Sequence, residues 1–233
     1  MNFQSITNEL WNDFISNLFP LICVNCRETL VRDEVYICTK CKLSLPRTNL
    51  HIVKENRLFQ KFAFEPKVKF VTAFLEYNPG GIARKLIHQL KYKGEQELGT
   101  ILGDWFGLDL LQAPIDPDLI LPVPLHPKKL RIRGYNQSDC IARGISERMG
   151  VLWDPKILSR TVFTKTQTKK SKIDRWKNVD SIFSINTHGT ISNKKVLLVD
   201  DVLTTGATLG SLASILSSAG VSEIYIATLA AGA

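Results

Sequence analysis

The pattern of hydrophobic and polar positions along the chain predicts an α/β protein. Residues 196–199 are four apolar residues in succession, which indicates a strand buried on both faces. Other short apolar runs predict strands at 70–77, 119–123, 156–164, 181–185 and 223–229. Apolar residues at helical spacing predict helices at 82–90, 95–111, 135–149 and 207–219. Strands that alternate with helices form a mostly parallel sheet with flanking helices.

Two adjacent carboxylates, Asp200 and Asp201, directly follow the predicted strand at 196–199. A loop of small and hydroxylated residues comes next, and a helix then begins. This order places acids and free backbone N–H groups at the carboxyl end of a parallel strand, where such N–H groups suit a phosphate. The two carboxylates can hold a diol or a hydrated Mg²⁺ beside it. The sequence therefore predicts a ribose-phosphate site; an unused polar turn is the disfavoured alternative, because an acid pair ending a buried strand is costly.

Four of the five cysteines form two pairs with a spacing of two residues: Cys23, Cys26, Cys38 and Cys41. Two such pairs supply four thiolates for the tetrahedral Zn²⁺ site of a zinc ribbon, with a short hairpin predicted between them. The site is expected to be structural, since four thiolates leave no open position for water. Two disulfides are the alternative, but nothing in the sequence points to an oxidising compartment. Cys140 lies in a predicted helix and is interpreted as a small buried residue.

A chain of 233 residues can hold one sizeable domain and a small module. We predict an N-terminal helix and the zinc ribbon at residues 1–50, followed by the larger domain at 51–233. The sequence contains no run of 18 apolar residues, and residues 3–19 have the pattern of an amphipathic helix rather than of a secretory signal. The protein is therefore expected to be cytoplasmic. Because the helix lacks a Lys/Arg face, we expect it to dock on the domain body; a peripheral position at the inner membrane face is the alternative.

The net charge of +8 is concentrated in two segments. Residues 125–133 carry four basic and no acidic side chains, and residues 160–177 carry seven basic and one acidic. Either segment alone is typical of a solvated loop. Because both lie between strands of a predicted phosphate-binding fold, together they indicate a polyanionic partner, either phosphate or nucleic acid.

Four segments resemble ComF proteins and occur in the same order as in that family. They are the four-cysteine ribbon, residues 121–137 (LPVPLHPKKLRIRGYNQ), residues 160–183 and the VDDVLTTGAT run. The resemblance extends over nearly the whole chain from residue 21 onward. His88, Lys91 and Tyr92 also match a His-x-x-Lys-Tyr element of the family, although we interpret His88 and Lys91 as part of a solvated helix face.

The VDDVLTTGAT run is also similar to the phosphoribosyl pyrophosphate (PRPP) loop of type I phosphoribosyltransferases. In those proteins the two acids bind the ribose hydroxyls, directly or through Mg²⁺, and the loop wraps the 5′-phosphate. The resemblance implies PRPP contacts at Asp200, Asp201, Val202, Leu203, Thr204, Thr205, Gly206, Ala207 and Thr208. The loop after the strand at 119–123 would be the pyrophosphate loop, with candidates Pro124, Leu125, Lys128, Arg131 and Arg133. The fold is thus expected to be a type I phosphoribosyltransferase-like sheet, preceded by the small zinc ribbon.

Residues 164–177 resemble the loop that closes over the active site of these enzymes and excludes water. Their cations and Trp176 also suit single-stranded DNA, where backbone charge and base stacking act together, although plain packing of Trp176 is an equal alternative. The candidate DNA-binding residues are Arg131, Arg133, Lys165, Lys169, Lys170, Lys172, Arg175 and Trp176.

Two functions are compatible with these features. The ComF resemblance implies a protein that binds PRPP or a nucleoside 5′-phosphate and handles single-stranded DNA during natural transformation, alongside the DNA-uptake helicase machinery. The alternative is an active phosphoribosyltransferase that transfers ribose 5-phosphate from PRPP to a base or amine in nucleotide metabolism. An enzyme needs a hood for the acceptor, and the chain ends four residues after the last predicted strand, so we expect no C-terminal hood; the zinc ribbon is the alternative hood. We therefore favour DNA handling and assign no catalytic residue. Structural Zn²⁺ and PRPP-bound Mg²⁺ are the expected cofactors.

Overall fold

The computed structural model describes residues 20–31, 33–160, 182–186 and 191–232. The strands are β1 (Val68–Tyr77), β2 (Leu119–Pro122), β3 (Leu158–Arg160), β4 (Phe183–Ile185), β5 (Lys195–Leu203) and β6 (Glu223–Gly232). The helices are α1 (Thr39–Leu43), α2 (Ile82–Tyr92), α3 (Gln96–Leu110), α4 (Pro127–Arg133), α5 (Gln137–Met149) and α6 (Ala207–Ser218), with 3₁₀ turns at Leu50–Ile52 and Phe59–Phe62. None of the helices in these ranges is long and apolar enough to cross a bilayer. The predicted amphipathic helix at 3–19 lies outside the described residues.

The main sheet is parallel and has the strand order β1-β6-β5-β2. Residues 196–199 of β5 are fully buried, which confirms the prediction of a strand covered on both faces. β5 is central because its neighbours are β6 on one side and β2 on the other. β3 and β4 form a separate antiparallel ribbon, with Leu158 opposite Ile185. The sheet thus confirms the predicted alternation of strands and helices.

Helices cover both faces of the sheet, and successive residues of β5 point into two different cores. The core beneath α2, α3 and α5 includes Phe74, Leu86, Phe106, Ile141 and Leu197. The core beneath α6 includes Phe62, Val196, Leu198, Leu212 and Ile226. The Phe74 and Phe106 rings stack with centroids 5.3 Å apart. This two-sided burial is what makes the long apolar run in β5 favourable, since every side chain in it leaves water.

Helices α3 and α5 cross at unusually short range. A methyl group at Gly103 would clash with the Ile141 carbonyl, and one at Gly144 would clash with the Thr100 carbonyl. Only glycine fits at these two positions. Because glycine has no side chain, the backbones of α3 and α5 lie in direct contact. The contact holds α5, and with it Ser138 in its first turn, at a fixed distance from the sheet.

Both edges of the main sheet are occupied by chain that is not itself a strand. Beside β2, the Ile120 amide donates to the Leu152 carbonyl and the Asp154 amide donates to the Ile120 carbonyl. Beside β1, the Thr48 amide donates to the Phe74 carbonyl and the Glu76 amide donates to the Pro46 carbonyl. The edge strands therefore direct their outer backbone groups toward the protein's own connecting segments.

The segment after β2 differs from the sequence prediction, which placed a loop there. Residues 127–133 form helix α4, with Pro127 at its first position and the Lys128 amide donating to Nδ1 of His126 at 3.1 Å. Gly134 ends the helix in the left-handed conformation, at φ +79°. Proline at the start and glycine just past the end are a recognised helix signature, which the high density of charges obscured in the sequence.

The four-cysteine module packs directly on α2 and α3. Cys23, Cys38 and Cys41 are buried in the same core as those helices, and Nζ of Lys42 lies 4.1 Å from the centroid of the Trp105 ring. The hairpin predicted between the two cysteine pairs is not formed in the described residues 27–31 and 33–37; the one bridge in this module joins Ile22 and Thr29, on either side of the first pair. The boundary at residue 50 stays a prediction.

Candidate functional site

The candidate site lies where β2 ends and β5 continues. The two strands pair only as far as Pro122 and Val199, whereas β5 extends to Leu203 beside β6. Asp200 and Asp201 are therefore inside the strand, and not after its end as the sequence predicted. Because β2 has already ended, the two acids lie at the carboxyl end of the sheet with no paired strand on that side of β5. Ligands of open α/β sheets bind at such a point.

A small depression opens beside Asp200. Its volume is about 50 Å³, and it is lined by Asp200 together with residues 202–209, which form the loop and the first turn of α6. Gly206 precedes α6 with φ +84°, and a Cβ there would lie 3.2 Å from Cζ of Phe62. Nζ of Lys61 donates to the Thr204 carbonyl at 2.8 Å. A depression of this size at a helix N-terminus, whose first N–H groups have no partner in the helix, suits a phosphate group.

The Asp200 carboxyl group is held by two donors. Its Oδ1 accepts hydrogen bonds from the Ser138 hydroxyl and from the Asp201 amide, both at 2.8 Å. Burial, together with the neighbouring Asp201 carboxylate, raises the pKa of Asp200 to about 7. Near neutral pH this group therefore exists in both protonation states. A cation placed beside the pair favours the ionised state of Asp200.

The Asp201 carboxylate pairs with Lys91 from the last turn of α2. Nζ of Lys91 lies 2.8 Å from Oδ2 of Asp201, and both side chains are mostly buried. The sequence interpretation of Lys91 as part of a solvated face was therefore wrong, whereas His88, one turn earlier, is exposed as expected. The helical pattern shows only that Lys91 lies off the apolar stripe of α2. The His-x-x-Lys-Tyr element was the one signal that could have placed Lys91 at the site.

The predicted pyrophosphate segment begins directly after β2 and continues into helix α4. Pro124 and Leu125 follow β2 directly, and Nδ2 of Asn136 donates to the Val123 carbonyl at 2.9 Å. Nη1 of Arg133 donates to Oε1 of Gln137 at 2.6 Å. Two of the other candidates, Lys128 and Arg131, are exposed on α4. The remaining DNA candidates lie outside the described residues: Lys165, Lys169, Lys170, Lys172, Arg175 and Trp176.

The four cysteines of the N-terminal module have the geometry of one metal site. All their sulfur atoms lie within 4.8 Å of one another, and those of Cys26 and Cys38 are 3.7 Å apart. Four thiolates around an ion at about 2.3 Å are separated by roughly 3.8 Å, so the arrangement fits a tetrahedral centre. Every cysteine of the chain is free. Two groups donate to the sulfurs: the backbone amide of Cys38 to Sγ of Cys23, and Nδ2 of the Asn25 side chain to Sγ of Cys41.

The thiols of this cluster affect one another's ionisation. Burial raises the pKa of Cys23, but hydrogen bonds from nearby backbone amides outweigh it and lower that pKa to about 6. A backbone hydrogen bond at Glu28 lowers the pKa of Cys26, whereas burial and the other three cysteines raise it to about 12. Four sulfurs this close cannot all ionise without a compensating cation. The donor set is therefore suited to a divalent metal ion.

A family model, curated relatives and solved structures are similar to this chain. Residues 152–233 match the family described as the phosphoribosyl transferase domain. Over 210 residues, 88% of each chain, the protein is 30% identical to the "DNA utilization protein YhgH" of Shigella flexneri. It is 36% identical over 115 residues to the "Competence protein F" of Haemophilus influenzae, which covers 49% of this chain and 50% of that one. A hypoxanthine phosphoribosyltransferase from Staphylococcus aureus aligns with a TM-score of 0.36 and 19% identity, over 57% of this chain and 62% of that chain.

The raised pKa of Asp200 predicts a pH-dependent stability. Because the folded-state pKa lies above the ordinary value of 3.8, the wild-type protein loses stability as pH rises from about 4 through 7. Asp200→Asn keeps the hydrogen-bond acceptor but removes the charge. We expect this variant to be more stable than wild type at pH 8, by about 1–2 kcal/mol, and to show little difference at pH 4. Thermal unfolding at the two pH values measures the effect.

Asp201→Asn is the matched control, since it removes the same charge but also loses the ion pair with Lys91. It should not stabilise the protein at pH 8. An Asp200→Asn variant that is no more stable than wild type at pH 8 would contradict the proposed cost of ionising Asp200.

Proposed function

The chain belongs to the ComF family of competence-related, phosphoribosyltransferase-like proteins, and we propose that it binds a phosphoribosyl ligand and handles single-stranded DNA during DNA uptake. The ligand would be PRPP or a nucleoside 5′-phosphate, bound at residues 200–208. The DNA would contact the basic segments at 125–133 and 160–177. The protein would act in the cytoplasm, next to the machinery that brings the strand in.

One observation carries the phosphoribosyl part of the proposal: a carboxylate pair lies next to a phosphate-sized depression. Asp200 lines the depression together with residues 202–209, so one ribose 5-phosphate would place its phosphate there and its ribose hydroxyls at Asp200 and the adjacent Asp201. Mg²⁺ bound with PRPP would supply positive charge to the acids and to the pyrophosphate group. Lys91 supplies that charge to Asp201 in the structure described here.

The DNA part of the proposal draws on charge and on the relatives. The names of two relatives refer to DNA utilization and to competence. The two basic segments carry more than the whole net charge of the chain, which suits a polyanion that is recognised through its backbone. Lys128 and Arg131 are exposed on α4 and available for such contacts.

Phosphoribosyl transfer is the second candidate function. Two observations favour it: the match of residues 152–233 to the phosphoribosyl transferase domain, and the Asp200 carboxyl group, whose pKa of about 7 would let it exchange a proton at the ribose. Release of pyrophosphate from PRPP, on addition of a purine, a pyrimidine or an amine, would distinguish an enzyme from a binding protein.

Replacing both acids should weaken PRPP binding. The Asp200→Asn, Asp201→Asn double variant removes the diol and metal contacts and leaves the loop amides in place. We expect PRPP affinity in the presence of Mg²⁺ to fall at least about tenfold, and affinity for a nucleoside 5′-monophosphate without Mg²⁺ to change less, because the loop alone holds its phosphate. Isothermal calorimetry measures both.

A control double variant, Asp33→Asn with Glu55→Gln, removes the same charge at exposed positions away from the loop. Its PRPP affinity should match wild type. Unchanged PRPP affinity in the Asp200/Asp201 variant would exclude this loop as the ribose site.

The four cysteines should bind one Zn²⁺ that the fold requires. Protein purified without added zinc is expected to contain about one equivalent, measured by plasma mass spectrometry. Cys38→Ser should lower both the zinc content and the unfolding temperature. Cys140→Ser, which alters the one cysteine outside the cluster, should leave the zinc content unchanged. Purified protein with disulfides and no metal would overturn this assignment.

Single-stranded DNA should bind with a steep dependence on salt. Each phosphate neutralised contributes about −0.7 to the slope of log affinity against log salt. The triple variant of Lys169, Lys170 and Lys172 to Gln should therefore flatten the slope by about 2, with zinc content and PRPP binding intact. A second triple variant provides the control by removing equal charge at exposed positions: Lys54, Lys156 and Lys194 to Gln. Fluorescence anisotropy with a labelled oligonucleotide measures the slope, and no binding at low salt would favour the phosphoribosyltransferase instead.

A further inference from the structure

A second cavity lies apart from the Asp200 loop, between the four-cysteine module and helix α2. It is a groove of about 440 Å³, bordered on one side by the turn after Cys23 and on the other by the first two turns of α2. Its volume is several times that of the depression beside Asp200. His88 of the His-x-x-Lys-Tyr element lines this groove, but the proposed phosphoribosyl site does not use it.

The groove is cationic. Arg27 from the module and Arg84 and Lys85 from α2 line it, His88 adds a fourth basic side chain, and the residues that line it include no acid. Arg27, Arg84 and His88 are exposed. Within the described part of the chain, neither Arg27 nor Arg84 has an ion-pair partner. A zinc ion held by four thiolates would carry a net charge of about −2, against three positive charges on Arg27, Arg84 and Lys85.

The two walls of the groove are held together, so its shape is defined before any ligand binds. Nζ of Lys85 donates to the Asn25 carbonyl at 3.1 Å and to Oδ1 of Asn25 at 2.9 Å. Arg27 follows in the same turn, with its backbone at φ +68°. The turn that carries the cysteines therefore also sets Arg27 opposite Arg84. Prearranged cations lose less entropy when an anion binds.

A row of flat side chains extends from the groove along α2. The His88 and Tyr92 rings lie 4.8 Å apart, and Tyr92 is 64% exposed. Cζ of Arg133 lies 5.5 Å from the centroid of the Tyr92 ring. Exposed aromatic and guanidinium planes beside a cationic groove are what unpaired bases stack on. A duplex keeps its base faces covered by stacking, so this surface favours a single strand.

We propose that this groove is a binding site for single-stranded nucleic acid, with backbone phosphates at Arg27, Arg84 and Lys85 and a base stacked on Tyr92. The inference rests on the proposed DNA-handling function and assigns it to a surface outside the two basic segments. Arg133 connects the groove to helix α4, which carries the first of those segments. The four-cysteine module would then contribute to DNA binding through Arg27 as well as to folding.

Two variants separate the charge from the stacking. Arg27→Gln with Arg84→Gln removes two phosphate contacts and should lower the salt slope for an oligothymidine by about 1.4. Tyr92→Ala should weaken binding by roughly tenfold at a given salt concentration without changing the slope, because a stacked base releases no counterions. The charge control, Lys54→Gln with Lys194→Gln, removes the same charge at exposed positions and should change the slope less than the Arg27/Arg84 variant does. Zinc content and thermal unfolding establish that each variant is folded, and fluorescence anisotropy measures binding.

The outcomes distinguish this inference from the proposed function. A wild-type protein that binds no oligonucleotide removes the DNA-handling function itself. A wild-type protein that binds, with groove variants that match it in affinity and slope, leaves that function standing and overturns the groove. Equal binding of a duplex of the same length would overturn the stacking role of Tyr92. Loss of PRPP affinity in the Arg27/Arg84 variant would assign the groove to the phosphoribosyl ligand and also overturn the proposal.

Discussion

Two neighbouring carboxylates inside a largely buried strand are the constraint on which this site depends. Like charges on adjacent residues repel, and burial adds the cost of removing them from water. Two contacts offset this unfavourable free energy: Ser138 of α5 donates a hydrogen bond to Asp200, and Lys91 of α2 forms an ion pair with Asp201. Each partner comes from a different helix, so both helices must be held accurately against the sheet. The glycine contacts between α3 and α5 do this for Ser138.

Helix α2 connects the four-cysteine module to the candidate site at Asp201. Lys85 in its first half contacts Asn25 of the four-cysteine module, and Lys91 near its end reaches Asp201. They are six positions apart, or about 9 Å along a helix axis. A helix of this length is stiff, so the module and the site are held at a fixed separation. Disruption of the four-cysteine cluster would therefore disturb the surface against which α2 packs as well as the module.

The features that the sequence predicted are those encoded locally. The buried run of β5, the acid pair after it and the paired cysteines are short patterns whose meaning comes from neighbouring residues. The contact between Lys91 and Asp201 joins residues more than a hundred positions apart, and helical periodicity carries no information about it. Helix α4 was missed for a different reason: Pro127 and Gly134 mark its ends, but the cations between them favoured a solvated loop.

The covered edges of the sheet restrict how this protein can associate with others. An exposed edge strand presents unpaired amides and carbonyls, on which a strand from a second molecule can add. Here the segment at 152–154 takes up the outer groups of Ile120, and the segment at 46–48 takes up those of Phe74 and Glu76. A foreign strand would find these groups already bonded. Addition of a foreign strand to the main sheet at these positions would first have to displace the protein's own segments.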